Sequence, residues 1–206
     1  MRFWNIPKLY LGKTVLILGN GPSLPKLVTP KLLNKYPTIG VNDAGFLDGV
    51  DILFFGDAKW WRIRGHKMKG FCGLMVTYNR HPEGLGGASY PSNILMVGHK
   101  SGSGICPINS LIKFNRSSGA AAINLAYHLG AKQVVLLGFD MRQINGKKNW
   151  FDREWESDNT RNMSYEKFLQ PFPQIAYDAE CLGLDVVNAT PNSALTNFPS
   201  IEVGDL

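Results

Sequence analysis

The chain has 206 residues, of which 44% are hydrophobic and 18% are charged, and its formal net charge is +6. A chain of this size folds as one domain that buries about 70% of its unfolded surface, without a disulfide framework or a structural metal. The charge favours an anionic partner such as a nucleotide, a charged glycan or a nucleic acid. No stretch has the length of a membrane span and no signal peptide is recognisable, so we expect a cytoplasmic protein without membrane association.

The three cysteines, Cys72, Cys106 and Cys181, are far apart in the sequence and form no C-x-x-C pair. A sparse, odd set of this kind is typical of buried thiols in a reducing compartment, not of disulfides or a zinc site. We therefore predict three buried free thiols and no metal site.

Short apolar runs recur along the chain, and most of them end at glycine, asparagine or aspartate. Runs without polar alternation are typical of strands that are buried on both faces of a sheet. The sequence therefore predicts a mostly parallel sheet. The predicted strands are 14–18, 38–41, 52–55, 74–77, 94–97, 134–137 and 184–187.

Helical segments lie between several of these strands. One helix is predicted from Pro22, which suits the first helical position, one over 119–129, and one over 174–182. Strands that alternate with helices in this way form right-handed crossovers. We therefore predict a single α/β domain over 1–206, with a doubly wound, Rossmann-like, mostly parallel sheet and helices on both faces.

The helix over 119–129 has the clearest boundaries. It is rich in alanine, with Ser117 or Ser118 as its N-cap and Gly130 as its C-terminal stop. Three other segments match neither a strand nor a helix, and we interpret them as loop insertions. Long loops in a compact domain are usually active-site lids or disorder. The insertions lie near 80–92, 98–116 and 142–164.

Polar turns follow four of the predicted strands, and another polar motif opens the helix over 119–129. The carboxyl ends of parallel strands share one edge of a sheet, and open α/β sheets bind ligands along that edge, so we expect these turns to converge. Taken singly, each turn is also explained as a helix cap or a tight turn. The residues are Gly19, Asn20, Gly21, Pro22, Ser23, Asn42, Asp43, Gly56, Asp57, Gly138, Phe139 and Asp140 in the turns, and Ser117, Ser118 and Gly119 at the helix start.

Two of these motifs have the chemistry of a phosphate site. In the turn 19–23, glycines let the backbone approach a ligand, and the amide groups of the following helix attract an anion. This turn lacks the third glycine of a dinucleotide fingerprint, since Leu24 stands there, and it lacks the lysine of a P-loop. The helix start at 117–119 offers a second anion-binding position. Together the motifs predict a nucleotide site.

Five sequence blocks resemble, in the same order, those of the bacterial CMP-sialic-acid-dependent sialyltransferases and of the related 6-hydroxymethylpterin pyrophosphokinase-like (MptE-like) family, including small phage-type members. The resemblance covers residues 14–198. The blocks are GNGPSL at 19–24, VN at 41–42, SSG at 117–119, GAKQVVLLGFD at 130–140 and TPNSAL at 190–195.

The resemblance implies a nucleotide-binding role for most of these positions. The implied contacts are Asn20, Ser23 and Asn42 for the nucleotide, Ser117, Ser118 and Gly119 for its phosphate, and Gly138 and Asp140 for its ribose. The sialyltransferases also use a histidine base ahead of the last crossover helix. Residues 157–174 of this chain contain no histidine, so the base must come from elsewhere.

Glycosyl transfer requires a base for the acceptor hydroxyl and groups that stabilise the departing phosphate. The candidates for the base are Asp57, at a strand end, and Asp152, in the loop after the turn at 138–140. The alternative for each aspartate is a solvated turn residue. Arg116, whose spacing from the helix start differs slightly from that of the family's arginine, is the candidate cation.

The segment 59–69, which begins at Lys59 and ends at Lys69, combines five basic residues with Trp60 and Trp61. Basic residues interleaved with aromatic ones suit a nucleic acid, and the acceptor would then be a modified DNA base flipped out of the duplex. The alternative is an amphipathic helix whose tryptophans face the core. Both interpretations remain open at this stage.

Three classes of function are compatible with the sequence. A glycosyltransferase would take a nucleotide sugar as donor, and we favour this class. A pyrophosphokinase of the MptE-like kind would take ATP and Mg²⁺, with Asp43, Asp57 and Asp140 facing the phosphates. A non-catalytic module would bind a nucleotide without turnover.

Overall fold

The computed structural model describes residues 3–79, 90–151 and 165–206. Nine strands and six α-helices form in these ranges. The strands are β1 (Thr14–Leu18), β2 (Thr38–Val41), β3 (Ile52–Phe55), β4 (Leu74–Thr77), β5 (Ile94–Met96), β6 (Gly98–Lys100), β7 (Leu111–Lys113), β8 (Gln133–Leu137) and β9 (Asp185–Asn188). The helices are α1 (Leu24–Leu27), α2 (Pro30–Lys35), α3 (Ala58–Arg64), α4 (Ser118–His128), α5 (Tyr165–Leu169) and α6 (Phe172–Cys181).

Seven strands form one sheet in the order β5-β4-β3-β2-β1-β8-β9, and every neighbouring pair is parallel. In the central pair, Thr14 lies opposite Gln133 and Leu18 opposite Leu137. From β1 the chain first builds the sheet in one direction, and with β8 it continues on the other side. The strand order therefore reverses between β1 and β8, which is where doubly wound sheets bind ligands. The predicted Rossmann-like fold is confirmed.

The core lies on both faces of this sheet, as predicted. In β1, Val15 and Ile17 pack with residues of α4 and α6, whereas Leu16 and Leu18 pack with residues of α1 and α2. This alternation follows from the pleat, which points successive side chains to opposite faces. The alanines of α4 are fully buried against the sheet, so the start of this helix is held at a fixed height above the strand ends.

The boundaries of two predicted helices agree with the structure, and those of a third do not. Ser117 caps α4, because its side chain accepts a hydrogen bond from the Ala120 amide, and Gly130 follows the helix with a φ of 89°. The helix predicted over 174–182 is α6, and it begins two residues earlier. The helix predicted from Pro22 is wrong: α1 is a four-residue helix. It ends early because the chain becomes extended ahead of the proline that starts α2.

The insertion 98–116 is not a lid or a disordered loop. It contains β6 and β7, which pair in parallel as a second, two-stranded sheet. The side chain of Asn124, fully buried in α4, fixes this segment by accepting hydrogen bonds from the amides of Cys106 and Lys113 at 2.7 and 2.9 Å. Of the other two insertions, residues 80–89 and 152–164 lie outside the described ranges.

The prediction of three buried thiols is wrong for two of them. All three cysteines are free, but only Cys106 is buried, while Cys72 and Cys181 are exposed. Cys72 follows a tight turn at Gly70, and Cys181 is the last residue of α6, so neither faces the core. Within the described ranges, no three histidine, cysteine or acidic residues group as metal ligands, and no helix is long and apolar enough to cross a membrane.

Candidate functional site

A cavity of about 630 Å³ opens at the carboxyl ends of the strands, at the point where the strand order reverses. Its volume is in the range of small-molecule sites. Its walls are formed by the start of α4 and by the ends of five strands, β1, β2, β3, β4 and β8. The structure thus brings together most of the predicted site residues, namely Gly19, Asn20, Gly21, Asn42, Asp57, Arg116, Ser117, Ser118, Gly119, Gly138, Phe139 and Asp140.

The turn after β1 packs against the end of β8. The amide of Gly21 donates to the carbonyl of Gly138 at 2.8 Å, and the Ser23 hydroxyl donates to Asp140 Oδ2 at 2.9 Å. A Cβ on Gly21 would lie 1.8 Å from Asp140 Oδ2 and 2.6 Å from the Gly138 oxygen. Glycine is therefore required here so that two strand ends can meet. Pro22 and Ser23, predicted as ligand contacts, do not line the cavity.

Asp140 joins this turn to the cavity. The residue is 1% exposed, and its Oδ2 accepts from both the hydroxyl and the amide of Ser23. Burial raises the pKa of the Asp140 carboxyl, although the hydrogen bonds from Ser23 oppose this effect. Its Oδ1 is buried and has no hydrogen-bond partner in the described ranges. A buried acceptor of this kind is satisfied when a ligand supplies a donor.

The two predicted asparagines differ in what their side chains bind. Asn20 donates to the Val41 carbonyl at 2.9 Å and accepts from the Ala44 amide at 3.2 Å, so its side chain supports the end of β2. Asn42 adopts a left-handed conformation with a φ of 52°, and its Oδ1 is buried without a partner in the part of the chain that is described. Asn42 is therefore the better candidate for a ligand contact.

Asp43 does not line the cavity, contrary to the prediction. The residue is 2% exposed and lies in the short 3-10 helix Asn42–Phe46, which turns its side chain towards α3. Its Oδ2 accepts from Trp60 Nε1 at 2.7 Å, and its Oδ1 lies 3.3 Å from Arg64 Nε. Asp43 is therefore bound to α3 and does not face the cavity.

In the segment 59–69 the tryptophans are packed. Trp60 is 1% exposed, and Trp61 stacks on Phe55 with 4.9 Å between the ring centroids. Of the two interpretations of this segment, the helix with packed tryptophans agrees with the structure, although the α-helix ends at Arg64, a 3-10 helix follows it, and Trp61 is only half-buried. Lys59 lines the cavity. The basic side chains that the segment leaves exposed are Lys59, Arg62, Lys67 and Lys69.

At the start of α4, the hydroxyl groups of Ser117 and Ser118 form hydrogen bonds within the protein. Ser117 caps the helix, and the Ser118 hydroxyl accepts from the Gly56 amide at 3.1 Å, which ties α4 to the end of β3. The backbone is different: the amide N–H groups of Ser118 and Gly119 have no acceptor in the described ranges. An anion bound here would meet backbone amides at the positive end of an 11-residue helix.

Arg116 lies directly before this helix start and lines the cavity. Its side chain is exposed and forms no salt bridge with any described residue. Asp57, which follows β3, also lines the cavity, and it caps α3 by accepting from the Lys59 amide at 2.8 Å. Asp152, the other predicted base, lies outside the described residues.

Several cavity residues were not predicted from the sequence, among them Tyr78, Phe114 and Lys148. Tyr78 follows β4 directly, so the rule that polar residues after a strand face the ligand edge would have found it. Burial raises the pKa of the Tyr78 phenol, a hydrogen bond with Ser118 opposes this effect, and the charge of Asp57 adds to it. Lys148 reaches the cavity because the Trp150 amide donates to the carbonyl of Asn20 at 3.1 Å.

Comparison with known proteins finds relatives in structure only. No family model and no curated protein matches the sequence. The sialyltransferase CstII from Campylobacter jejuni, in complex with cytidine-5'-monophosphate, superposes with a TM-score of 0.57 and 16% identity over 93% of this chain and 85% of that one. Its complex with CMP-3FNeuAc gives a TM-score of 0.52 and 15% identity over 92% and 85%.

A glycosyltransferase from a second organism is also similar. MAf glycosyltransferase from Magnetospirillum magneticum AMB-1 superposes with a TM-score of 0.68 and 15% identity, over 99% of this chain and 36% of that one. The chain thus spans about a third of the length of MAf. Identities this low establish a likeness of fold. The chain has a glycosyltransferase-like α/β fold.

Proposed function

We propose that the protein is a glycosyltransferase that takes a nucleotide sugar and moves the sugar to an acceptor hydroxyl. The observation that carries this proposal is the start of α4, where two amides without acceptors and Arg116 face one cavity. The leaving group of a nucleotide sugar is a phosphate, and its negative charge grows as the glycosidic bond breaks. Preorganised donors at this position stabilise that charge.

A second set of groups in the cavity suits the nucleoside. Asp140 Oδ1 and Asn42 Oδ1 are buried acceptors without partners in the described ranges, and both residues line the cavity. Ribose hydroxyls and base amino groups are donors that would satisfy them. Buried acceptors and phosphate donors in one cavity favour a nucleotide over a simple anion.

For the acceptor hydroxyl, we propose Asp57 as the base, because its carboxylate is exposed at the rim of the cavity. Asp57→Asn preserves the shape and the helix cap but cannot take a proton, so turnover should fall by roughly 10²–10⁴. Asp152→Asn is the companion variant. Wild-type turnover in both would assign the base to another residue.

The alternative pyrophosphokinase has less support. Asp43, one of the three carboxylates proposed to face Mg²⁺, is bound to Trp60 and Arg64 instead. The glycosyltransferase-like fold favours sugar transfer. A nucleic-acid acceptor also has less support, since Trp60 is buried and Trp61 is half-buried with its ring stacked on Phe55. A gel shift with duplex and single-stranded DNA at two salt concentrations tests it, because each phosphate contact contributes to the salt slope.

The central test is a thermal-shift screen of nucleotides and nucleotide sugars, with and without Mg²⁺, because a ligand that binds the folded state raises its melting temperature. A glycosyltransferase should be stabilised by a nucleotide sugar and by the matching nucleotide, and should release that nucleotide when an acceptor is present. Stabilisation by ATP alone, only with Mg²⁺, would favour the pyrophosphokinase. Binding without any release of nucleotide would favour the non-catalytic module.

A further inference from the structure

The backbone ahead of α4 adopts an uncommon conformation. Asn115 and Arg116 have φ angles of 50° and 55°, so two consecutive residues with side chains lie in the left-handed region. Ser117 then returns to an extended conformation and caps the helix. Left-handed conformations of this kind persist only where the surrounding structure enforces them, and they cluster at ligand sites.

Arg116 itself does not enforce this conformation, because its exposed side chain forms no salt bridge within the described ranges. Asn115 does. The residue is 1% exposed, its Oδ1 accepts from the Gly104 amide at 2.8 Å, and its Nδ2 donates to the Gly104 carbonyl at 2.9 Å. One side chain thus satisfies both backbone groups of a residue at the other end of the loop.

Gly104 is in turn fixed to α6. The neighbouring amide of Ile105 donates to Asp178 Oδ2 at 2.7 Å, and a Cβ on Gly104 would lie 2.1 Å from the same oxygen. The φ of Gly104 is 105°, which favours glycine. The side chain of Asn115 is therefore anchored to a rigid position, and its backbone direction is set from there.

We propose that Asn115 is a positioning residue, which acts through Arg116 by holding the guanidinium beside the free amides of α4, where the phosphate of the substrate binds. This inference rests on the phosphate site of the proposed function but not on sugar transfer. Asn115 does not line the cavity, so any effect of its side chain on phosphate binding passes through Arg116 or the helix start.

The test is a double-mutant cycle on Asn115 and Arg116, with inorganic pyrophosphate as the probe and calorimetry as the measurement. Asn115→Gly keeps the left-handed backbone accessible but removes the anchor. Arg116→Ala removes the cation, and the double variant combines both changes. Asn115→Ser, which cannot reach both groups of Gly104, replaces Asn115→Gly if that variant does not fold.

Asn124→Ala is the matched control. Asn124 is also fully buried and fixes the same loop through the backbone of Cys106, but it does not adjoin Arg116. Both asparagine variants should lower the melting temperature, because each loses buried hydrogen bonds. Only the change at Asn115 should alter the affinity for pyrophosphate, whereas Asn124→Ala should stay within about twofold of wild type.

We expect Asn115→Gly and Arg116→Ala each to raise the Kd for pyrophosphate roughly tenfold, which corresponds to the loss of one charge-assisted contact. The double variant should bind pyrophosphate no more weakly than Arg116→Ala alone. Effects that add would overturn the proposed action of Asn115 through Arg116, as would a wild-type Kd in Asn115→Gly. If the wild type does not bind pyrophosphate, both the phosphate site and this inference are wrong. If Arg116→Ala does not weaken the binding, the inference alone is wrong. If the cycle holds but no nucleotide sugar is turned over, only the proposed glycosyl transfer fails.

Discussion

The two glycine-containing motifs at the cavity are used in opposite ways. In the turn after β1, the amides of Gly21 and Ser23 and the hydroxyl of Ser23 all bond to the end of β8. At the start of α4, the amides of Ser118 and Gly119 have no acceptor in the described ranges. The first motif builds the wall between two strands, and the second leaves donors for a ligand.

This difference teaches that glycine after a strand is not in itself a sign of ligand binding. At Gly21 the missing side chain makes room for Asp140, a neighbour within the protein. The capacity to bind a ligand lies where polar groups keep no internal partner, and it is visible only once the hydrogen bonds have been assigned. Substitutions in the two motifs should therefore separate stability from binding.

The largest effect is expected at Gly21. Gly21→Ala places a methyl group 2.6 Å from the backbone oxygen of Gly138, which cannot move without shifting β8. We expect the free energy of unfolding to fall by about 3 kcal/mol, measured by chemical denaturation. Gly204→Ala is the control, because nothing lies within 4 Å of the added atom there. Equal stability of the two variants would show that the strand ends are not tightly packed.

At Arg116 we expect stability and binding to change in opposite directions. Arg116→Gly relieves a left-handed conformation and should raise the free energy of unfolding by about 1 kcal/mol. It also removes the cation, so the affinity for pyrophosphate should fall roughly tenfold. Ser110→Gly, at a φ of 66° away from the cavity, is the control and should gain stability without losing affinity. A loss of affinity in both would place the effect in the loop backbone.

The end of α4 distant from the cavity should respond to pH. His128 is buried and donates from Nε2 to the Leu111 carbonyl at 2.8 Å, and burial lowers the pKa of its imidazole below the usual 6.5. Below about pH 6.5 the imidazole of His128 takes up a proton in the unfolded chain but stays neutral in the folded chain. The free energy of unfolding should therefore decrease as the pH falls.

His128→Gln keeps a donor for the Leu111 carbonyl but does not titrate. The difference in unfolding free energy between this variant and wild type, followed by urea denaturation from about pH 8 to about pH 5, should change in favour of the variant in acid. A difference that is constant over this range would mean that the imidazole is not buried in the neutral form.

The smallest effect is expected at Asp140. Because burial raises the pKa of its carboxyl, the ionised form costs stability at neutral pH; this cost decreases as the pH falls below that pKa and is gone below the ordinary pKa of the unfolded chain. Asp140→Asn should therefore be slightly more stable than wild type at neutral pH and equal to it in acid. Its amide cannot accept at the Oδ1 position, so the affinity for a nucleoside should fall in calorimetry. Unchanged affinity would remove Asp140 from the site.

Local patterns in the sequence predicted the sheet and the principal helix. Apolar runs mark strands such as β1, and a serine cap with a glycine stop marks α4, because these signals depend on neighbouring residues only. The ligand edge was also predictable, since it follows from parallel strands. The positions of Asn42, Asp57 and Asp140 on the cavity agree with this argument.

Features that depend on distant partners could not be predicted. From the sequence, Asp43 is predicted to be a ligand contact at a strand end, but its side chain binds Trp60 and Arg64 instead. The residues next to Asp43 in the sequence give no sign of these two partners. The segment 98–116 reads as a loop because its hydrogen bonds come from buried side chains elsewhere, such as Asn124. The left-handed conformation of Arg116 likewise depends on a distant partner, because the neighbouring Asn115 is anchored to the backbone of Gly104.

The central pairing of the sheet has a consequence for how the chain folds as it is made. β1 lies between β2 and β8, and Thr14 faces Gln133, 119 residues later. At synthesis rates of roughly 5–20 residues per second, the ribosome needs about 6–24 s to supply β8 after β1 has emerged. During that time β1 is an edge strand with unpaired backbone groups, a template for pairing with other chains. The nascent chain is therefore most prone to aggregate, and most in need of a chaperone, before residue 137 has left the ribosomal tunnel.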